Sequence, residues 1–548
     1  MSTATGAAAL LQSLVDHGVD TLFGLPGGQT YAFFDALHAR KDRVRFFGPR
    51  HEQACAYMAF GYARSTGRPG VYCVVPGPGV LNTTAALCTA YACNTPVLCV
   101  TGQIPSTSLG VGFGDLHELP DQLATMRTLT KWAERIERPE DAPAAVSRAF
   151  ATMLSGRPRP VSIEMAPDVM ERRADIPQIA AGAATMPEAD PAAIAAAARL
   201  IAGARCPLIY VGGGAVHAAD EVRRLAELIG APVSCFRAGR GVLSTEHALA
   251  LNLPAAHRLW PMVDVLIGVG SRLVEPLRHW GTDDNLRIVR IDVDPVEMDR
   301  LAKPTVGILG DAAAVLPALS AALERQLKRK RDPHPEVERV RAALTQEIER
   351  VQPQVQYLRA IREVLPRDGF FCDEITQCGF TSWYAWPTYA PRRHVNCGYQ
   401  GTLGYGYATA LGVKVANPSS PVVSITGDGG LMFQVQELAT AVQYGIDLKT
   451  IVFNSNSFAN VKRAQQESYG GRIIGSEFRN PDFLRLAEAF GMPAWRAHSP
   501  AELRTVLERS FAQPGPALIE VPVADMPSPW DFILLPRVRD GSSVASKA

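Results

Sequence analysis

The segment Pro421-Val-Val-Ser-Ile-Thr-Gly-Asp-Gly-Gly-Leu-Met-Phe433 carries an apolar, β-branched run straight into Gly427-Asp428-Gly429-Gly430. The pattern predicts a buried strand, a tight turn, and a helix beginning near Gln434 and ending by Gly445. Backbone N–H groups at such a turn and the positive end of the following helix suit a diphosphate. Asp428 adds a carboxylate oxygen, and oxygen ligands shared with phosphates are what Mg²⁺ takes. A second strand-like run, Lys449 to Phe453, ends in Asn454-Ser455-Asn456-Ser457 and would bring further oxygens to the same ion if the two strand ends are neighbours. Gly-Asp-Gly alone is an ordinary surface turn; with the second strand at this distance, the predicted chemistry is the anchoring of a metal-bound diphosphate.

Other segments carry candidate chemistry. Arg50-His51-Glu52-Gln53-Ala54 precedes the helix-like stretch Cys55 to Ala63; on its own, a glutamate there is a partner for the helix dipole. Around it in the chain stand Phe23-Gly-Leu-Pro26-Gly27-Gly28, Gly77-Pro-Gly79 and Thr101-Gly-Gln103. Later come Thr376-Gln377-Cys378, after a strand ending at Asp373-Glu374, and Cys397-Gly-Tyr-Gln-Gly401-Thr-Leu403-Gly-Tyr-Gly406.

In this order the segments resemble the thiamine diphosphate enzymes typified by acetolactate synthase, benzoylformate decarboxylase and pyruvate decarboxylase, across residues from about 5 to 535. The resemblance implies thiamine diphosphate and Mg²⁺. It also implies that Glu52 hydrogen-bonds the aminopyrimidine and promotes loss of the reactive C2 proton, a role suited to a carboxyl shielded from water. Leu403 would bend the coenzyme, with the main chain of Gly401 and Leu403 on the pyrimidine edge. Pro26 and Gly27 would lie on the pyrimidine side, and Thr376, Gln377, Cys378, Gly427, Gly429, Gly430 and Phe458 on the diphosphate side. The family's signature places an Asn 27 positions after the Asp and a main-chain carbonyl two further on; here those positions are Ser455 and Ser457. The expected metal ligands are therefore Asp428, Ser455 and Ser457, with one hydroxyl replacing an amide oxygen and Asn454 or Asn456 as alternatives. Simple packing for Leu403 and tight turns for the glycines stay open for each position singly.

The same resemblance places Gly28, Gln103 and His117 at the reacting end. Gly28 leaves room for substrate, and His117 could relay a proton to a bound carbonyl, a surface position being the alternative. Leu116, His117 and Glu118 stand where acetolactate synthases carry Phe-Gln-Glu, Ala464 stands at their acceptor-side Trp, and Pro76 at the catalytic His of benzoylformate decarboxylase. The leading expectation is carboligation: a 2-oxo acid is decarboxylated and its acyl unit joined to an aldehyde or ketone. A plain decarboxylase or C–C lyase, a flavin oxidase, and a catalytically silent homologue are the alternatives. Pro527 to Ile533 reads as an apolar lid or a packed end segment.

These residues need a scaffold. A chain of 548 residues exceeds one core, since domains hold about 100 to 200 residues. Helical periodicity alternating with short apolar runs predicts three doubly wound parallel-sheet α/β domains: residues 1–170 (pyrimidine-binding), 190–325 (central, Rossmann-like) and 350–535 (diphosphate-binding). Glu171 to Asp190 is expected as linker, Ile288 to Val293 as the last central strand, Arg325 to Arg339 as a solvated connection and Val538 to Ala548 as a loose tail. Val211-Gly-Gly-Gly-Ala215 and Gly268-Val-Gly-Ser-Arg272 do not complete a dinucleotide fingerprint, so FAD is the lesser expectation and Asp292 and Asp294 read as strand-end polar residues.

Composition supplies exclusions. Lys plus Arg at 55 against Asp plus Glu at 54 advertises neither nucleic acid nor a membrane surface. No apolar stretch reaches the ~18 residues of a span, and the first residues show no secretory pattern; a cytoplasmic protein with small-molecule partners is expected. Ten dispersed cysteines lack zinc spacing and read as buried thiols. In the family the pyrimidine and diphosphate ends lie on different subunits, which implies a homodimer at least and usually a homotetramer.

Overall fold

The computed structural model describes residues 2–540. They form three α/β domains, each built on a parallel six-stranded sheet with buried central strands. In the first sheet the order is Arg45–Phe47, Thr21–Gly24, Gly70–Val74, Val97–Gly102, Val161–Met165, Ala133–Ile136. In the second it is Ala250–Leu251, Val233–Cys235, Pro207–Val211, Val265–Val269, Arg287–Asp292, Val306–Leu309. The third runs His394–Val395, Phe370–Cys372, Val422–Gly427, Lys449–Asn454, Ala517–Pro522, Ala494–Arg496. Continuous Val/Ile/Leu runs produce this because strands covered by helices on both faces have no solvent side to alternate with.

The first and third domains meet along two helices, Glu52–Thr66 and Gly406–Ala416. The approach is backbone to backbone: a Cβ on Gly61 would lie 2.0 Å from Thr409 O, and one on Gly412 2.0 Å from Met58 O. Only glycine permits that spacing. The crossing is reinforced where the backbone N–H of Arg50 donates to both oxygens of buried Glu437, at 3.2 and 3.0 Å, and Gln434 Nε2 donates to Gln53 Oε1 at 2.9 Å. Burial raises the Glu437 carboxyl above its ordinary range. The starts of both helices, which bear Glu52 and the Gly401–Gly406 loop, are thereby fixed to one another.

Several expectations are corrected. The helix after Gly-Asp-Gly begins at Asp428 itself: Asp428–Met432 is one short helix and Glu437–Gln443 another. Extended Gly427 caps the first, and the acidic first-turn residue suits its positive end. The expected linker contains a strand, Arg173–Ile176, paired antiparallel with Ser2–Thr5. Val306–Leu309 adds an edge strand beyond the one expected to be last. The charged stretch turns helical at Glu336–Ile348 because Val337, Val340, Leu344 and Ile348 fall on one face. In the expected tail, Arg539 is buried and donates to Trp260 O and Asp283 Oδ1; residues 541–548 lie outside the described part. Pro527 to Ile533 packs as an end segment, with Trp530 on Phe380 and its Nε1 donating to Asn460 Oδ1 at 2.7 Å. All ten cysteines are free and eight are buried. Among the described residues no helix is long and apolar enough to cross a membrane.

Candidate functional site

At the carboxyl ends of the neighbouring strands Val422–Gly427 and Lys449–Asn454, Asp428 is 2 % exposed. Its carboxylate accepts from Gly429 N–H (3.0 Å), Ser455 N–H (3.2 Å) and Asn480 Nδ2 (2.8 Å). Burial nevertheless holds its pKa above the ordinary aspartate range, and among the described residues no Lys, Arg or His pairs with it. A buried carboxylate without a cation is costly. Beside it the Ser455 hydroxyl donates to Ser457 O at 3.1 Å and lies 3.1 Å from Ser457 Oγ. Asn454 is committed elsewhere, donating to Glu520 Oε1 at 2.7 Å. A carboxylate, a hydroxyl and a main-chain carbonyl thus converge, with no His or Cys among them, and this donor set fits a hard divalent cation.

Gly429 has no room for a side chain: a Cβ there would lie 2.4 Å from the Phe458 ring, which packs on Phe478. Thr376 caps the helix Gln377–Ala385 by accepting from Gly379 N–H at 3.0 Å, and its methyl faces Gly427. Gln377 Oε1 accepts from Arg463 at 3.1 Å, while Cys378 is buried and its thiol pushed far up by burial. The diphosphate-side residues named from sequence therefore fall at two helix starts, Thr376–Gln377 and Gly427–Asp428, which meet where the Thr376 methyl faces Gly427. Asn480, which gathers Asp428, Asn454 and Asn456 around its amide nitrogen, was missed, being 52 residues from Asp428 in no recognisable motif.

Glu374 was also missed. It is 1 % exposed at the end of its strand and binds the Gly401–Gly406 loop through Gly404 and Gly406 N–H. Gly401 has φ +58 and open space around its Cβ position; Leu403 is half-buried.

In the first domain Glu52 opens its helix, half-buried, and accepts from Asn82 Nδ2 at 3.0 Å. Gly79 lies beside its stem. Gly27 abuts Val75, whereas a Cβ on Gly28 would meet nothing within 4 Å. Next to Gly28, Gln29 joins two loops: its Nε2 donates to Leu116 O at 2.8 Å, and its Oε1 lies 3.0 Å from His117 Nδ1. Nδ1 must then carry the hydrogen and Nε2 is left free. His117 adopts the left-handed region, φ +68, with its carbonyl against Gly77. Glu118 is occupied by its own turn, accepting from Gly114 and Asp115 N–H. Gln103 is buried and turned inward to Glu164 Oε1 (3.3 Å) and Ile104 N–H (2.8 Å).

Within the chain Glu52 and Asp428 share no hydrogen-bond partner among the described residues. Among the large apolar side chains left exposed are Phe113 (71 %), Leu116 (69 %) and Ile474 (82 %). The helix Ala459–Ser468, which follows Phe458 and bears Ala464, buries none of its residues.

Where the central strand order reverses, a cavity of about 260 Å³ opens between the central domain and the other two, lined by Gly212, Gly270, Arg272, Asp292 and Asp311 together with Arg64 and Arg392. Asp292 ends its strand near Arg157 and Arg290, and Asp294 caps the next helix.

Comparison with known proteins agrees with this geometry. Residues 4–125 match the N-terminal TPP binding domain of thiamine pyrophosphate enzymes, 194–319 their central domain and 374–521 their C-terminal TPP binding domain. A probable 2-ketoarginine decarboxylase of Pseudomonas aeruginosa is 34 % identical over 95 % of this chain and 94 % of its own. A probable acetolactate synthase large subunit of Methanocaldococcus jannaschii is 32 % identical over 94 % and 91 %. The acetolactate synthase isozyme 3 large subunit of Escherichia coli is 30 % identical over 94 % and 93 %.

Proposed function

The chain belongs to the thiamine pyrophosphate enzyme family, and on that premise we propose that it decarboxylates a 2-oxo acid and joins the acyl unit to a second carbonyl compound. The observation that carries ligation is the open space at Gly28, whose neighbour Gln29 binds both the His117 imidazole and the carbonyl of exposed Leu116. That is an accessible place for a second substrate.

Thiamine diphosphate, when bound, would supply a carbon nucleophile for the 2-oxo group and a ring that acts as electron sink during decarboxylation. The protein's part follows from its own groups. Asp428, Ser455 and Ser457 would hold Mg²⁺, and the helix start at Gly429 and Gly430 would receive the diphosphate. Glu52 would hold a proton against the aminopyrimidine. The free Nε2 of His117, its tautomer fixed by Gln29, would exchange a proton with the substrate oxygen. Gln103 would act from behind, through the buried Glu164 network.

The exposed apolar side chains Phe113, Leu116 and Ile474 support completion of the site by a second copy of the chain, in a cytoplasmic homodimer or homotetramer. A non-ligating decarboxylase or lyase is the second reading, favoured by the Pseudomonas aeruginosa relative and by Leu116 and Ala464, which depart from the acceptor motif of acetolactate synthases. A flavin oxidase has only the cavity beside the central domain in its favour, and flavin absorbance of the purified protein would reveal it. Incubation with pyruvate, with and without an aldehyde, followed by mass analysis of products separates the first two: a hydroxyketone or acetohydroxy acid supports ligation, and free aldehyde alone refutes it.

A further inference from the structure

We propose that Glu374 is a positioning residue that holds the Gly401–Gly406 loop in the shape that receives the coenzyme; this rests on the reading above that the loop faces the pyrimidine. One oxygen of the carboxylate accepts from Ile375 N–H at 3.1 Å and Gly404 N–H at 3.2 Å, and the other from Gly406 N–H at 3.0 Å. Those glycines bracket the loop and open the helix Gly406–Ala416. Gly404 has φ +83, with Phe433 against it at 2.5 Å from a would-be Cβ. A left-handed glycine pressed on a ring would not hold its place by propensity alone, since glycine loses more freedom on ordering than any other residue.

The same carboxylate abuts the other half of the cradle. A Cβ on Gly430 would lie 3.2 Å from Glu374 Cδ, and one on Gly406 2.9 Å from Oε2. Its backbone carbonyl fills the space at Gly379, leaving no room for a side chain in the helix that Thr376 caps. One side chain thus joins the loop of the pyrimidine side to the helix starts of the diphosphate side. No cation pairs with it among the described residues, so its charge is held by N–H groups alone.

Burial pushes the carboxyl up to about 7, against the three N–H donors that pull it down and with Asp373 raising it further. The other titratable groups around it are Tyr57, Cys397 and Tyr405, each held neutral by burial, and His394, which faces Asp373 and is depressed by burial. When the pH falls through this range, a proton on either oxygen removes acceptor capacity and loosens the loop.

Two measurements test this on the full chain. In amide-exchange mass spectrometry without coenzyme, residues 397–406 should exchange faster in Glu374→Gln than in the native chain. In native protein alone, once intrinsic exchange is corrected, protection there should fall from pH 8 to pH 6. The second result stands even if the variant does not fold; unchanged protection in the native chain overturns the proposal. Thiamine diphosphate titrated with Mg²⁺ and followed by tryptophan fluorescence should bind about 10- to 100-fold more weakly to Glu374→Gln at pH 8, with the two proteins drawing together at pH 6. Titration of the diphosphate itself is common to both and cancels in the ratio. Equal affinities, or a ratio independent of pH with only a lowered melting temperature, would reduce Glu374 to a structural residue. If neither protein binds the coenzyme, the function proposed above fails, while the exchange result still decides the role of Glu374.

Discussion

Asn480 Nδ2 lies 2.8 Å from Asp428 Oδ2, and the same nitrogen is 2.9 Å from Asn454 Oδ1. One amide thus orients the carboxylate proposed to hold the metal and ties together the two strand ends beside it. Removing it leaves Asp428 held by the Gly429 and Ser455 N–H groups alone. Partners that orient a ligand typically account for about 10- to 100-fold in metal affinity. Asn480→Ala is expected to raise the Mg²⁺ concentration needed for half-maximal coenzyme binding by that factor, with secondary structure by circular dichroism unchanged; an unaltered Mg²⁺ requirement would remove Asn480 from the site.

Ser455 offers a natural comparison of ligand chemistry. An amide carbonyl is a stronger oxygen donor to a hard cation than a hydroxyl. Ser455→Asn is therefore expected to tighten Mg²⁺ binding, by roughly tenfold or 1.4 kcal/mol, and Ser455→Ala to weaken it. Calorimetric titration of Mg²⁺ in the presence of thiamine diphosphate reads both. Equal affinity in all three proteins would mean that Asn456 or water supplies the ligand.

Much of this was legible in the sequence because motif and element coincide. The strand Val161–Met165 and the Gly-Asp-Gly strand end are where apolar runs meet turn residues, and burial on both faces makes such runs unambiguous. What escaped is instructive. Glu374 sits in a plain strand end, and its importance comes from glycines 30 and 32 residues later that only the fold brings to it. Gln29 looks like any polar residue after a glycine turn until Leu116 and His117 arrive. The helix at Asp428 was hidden by its glycines, whose low propensity is overridden by packing between two sheet strands. The edge strand Val306–Leu309 and the strand Arg173–Ile176 are short and partly exposed, so their periodicity carries little signal.

Glu52 carries the sharpest catalytic expectation. Among the described residues its carboxylate hydrogen-bonds only Asn82, which leaves the other oxygen available to the pyrimidine. Glu52→Gln keeps the shape and loses the exchangeable proton. Turnover of a 2-oxo acid, measured as carbon dioxide release, should fall about 10²- to 10⁴-fold, the range of general acid–base contributions. Coenzyme affinity by fluorescence titration should change by less than about tenfold. Near-native turnover would contradict the proton-handling role.

The helix crossing at Gly61 and Gly412 predicts an effect at a distance. An alanine at Gly61 would gain intrinsic helix propensity, worth up to about 1 kcal/mol. Its Cβ, however, would stand 2.0 Å from Thr409 O and 3.1 Å from Val413 N, and backbone has no rotamer by which to withdraw. Overpacking of this kind costs about 1–3 kcal/mol or more, so the repulsion wins and the helices must separate. For domains of this size each kcal/mol moves the melting temperature by roughly 2–4 °C, so Gly61→Ala should lower it by several degrees. Because Glu52 and Gly406 open these two helices, the displacement should also weaken coenzyme binding, measured separately by fluorescence titration. A melting temperature at or above that of the native chain would show that the helices do not meet as described.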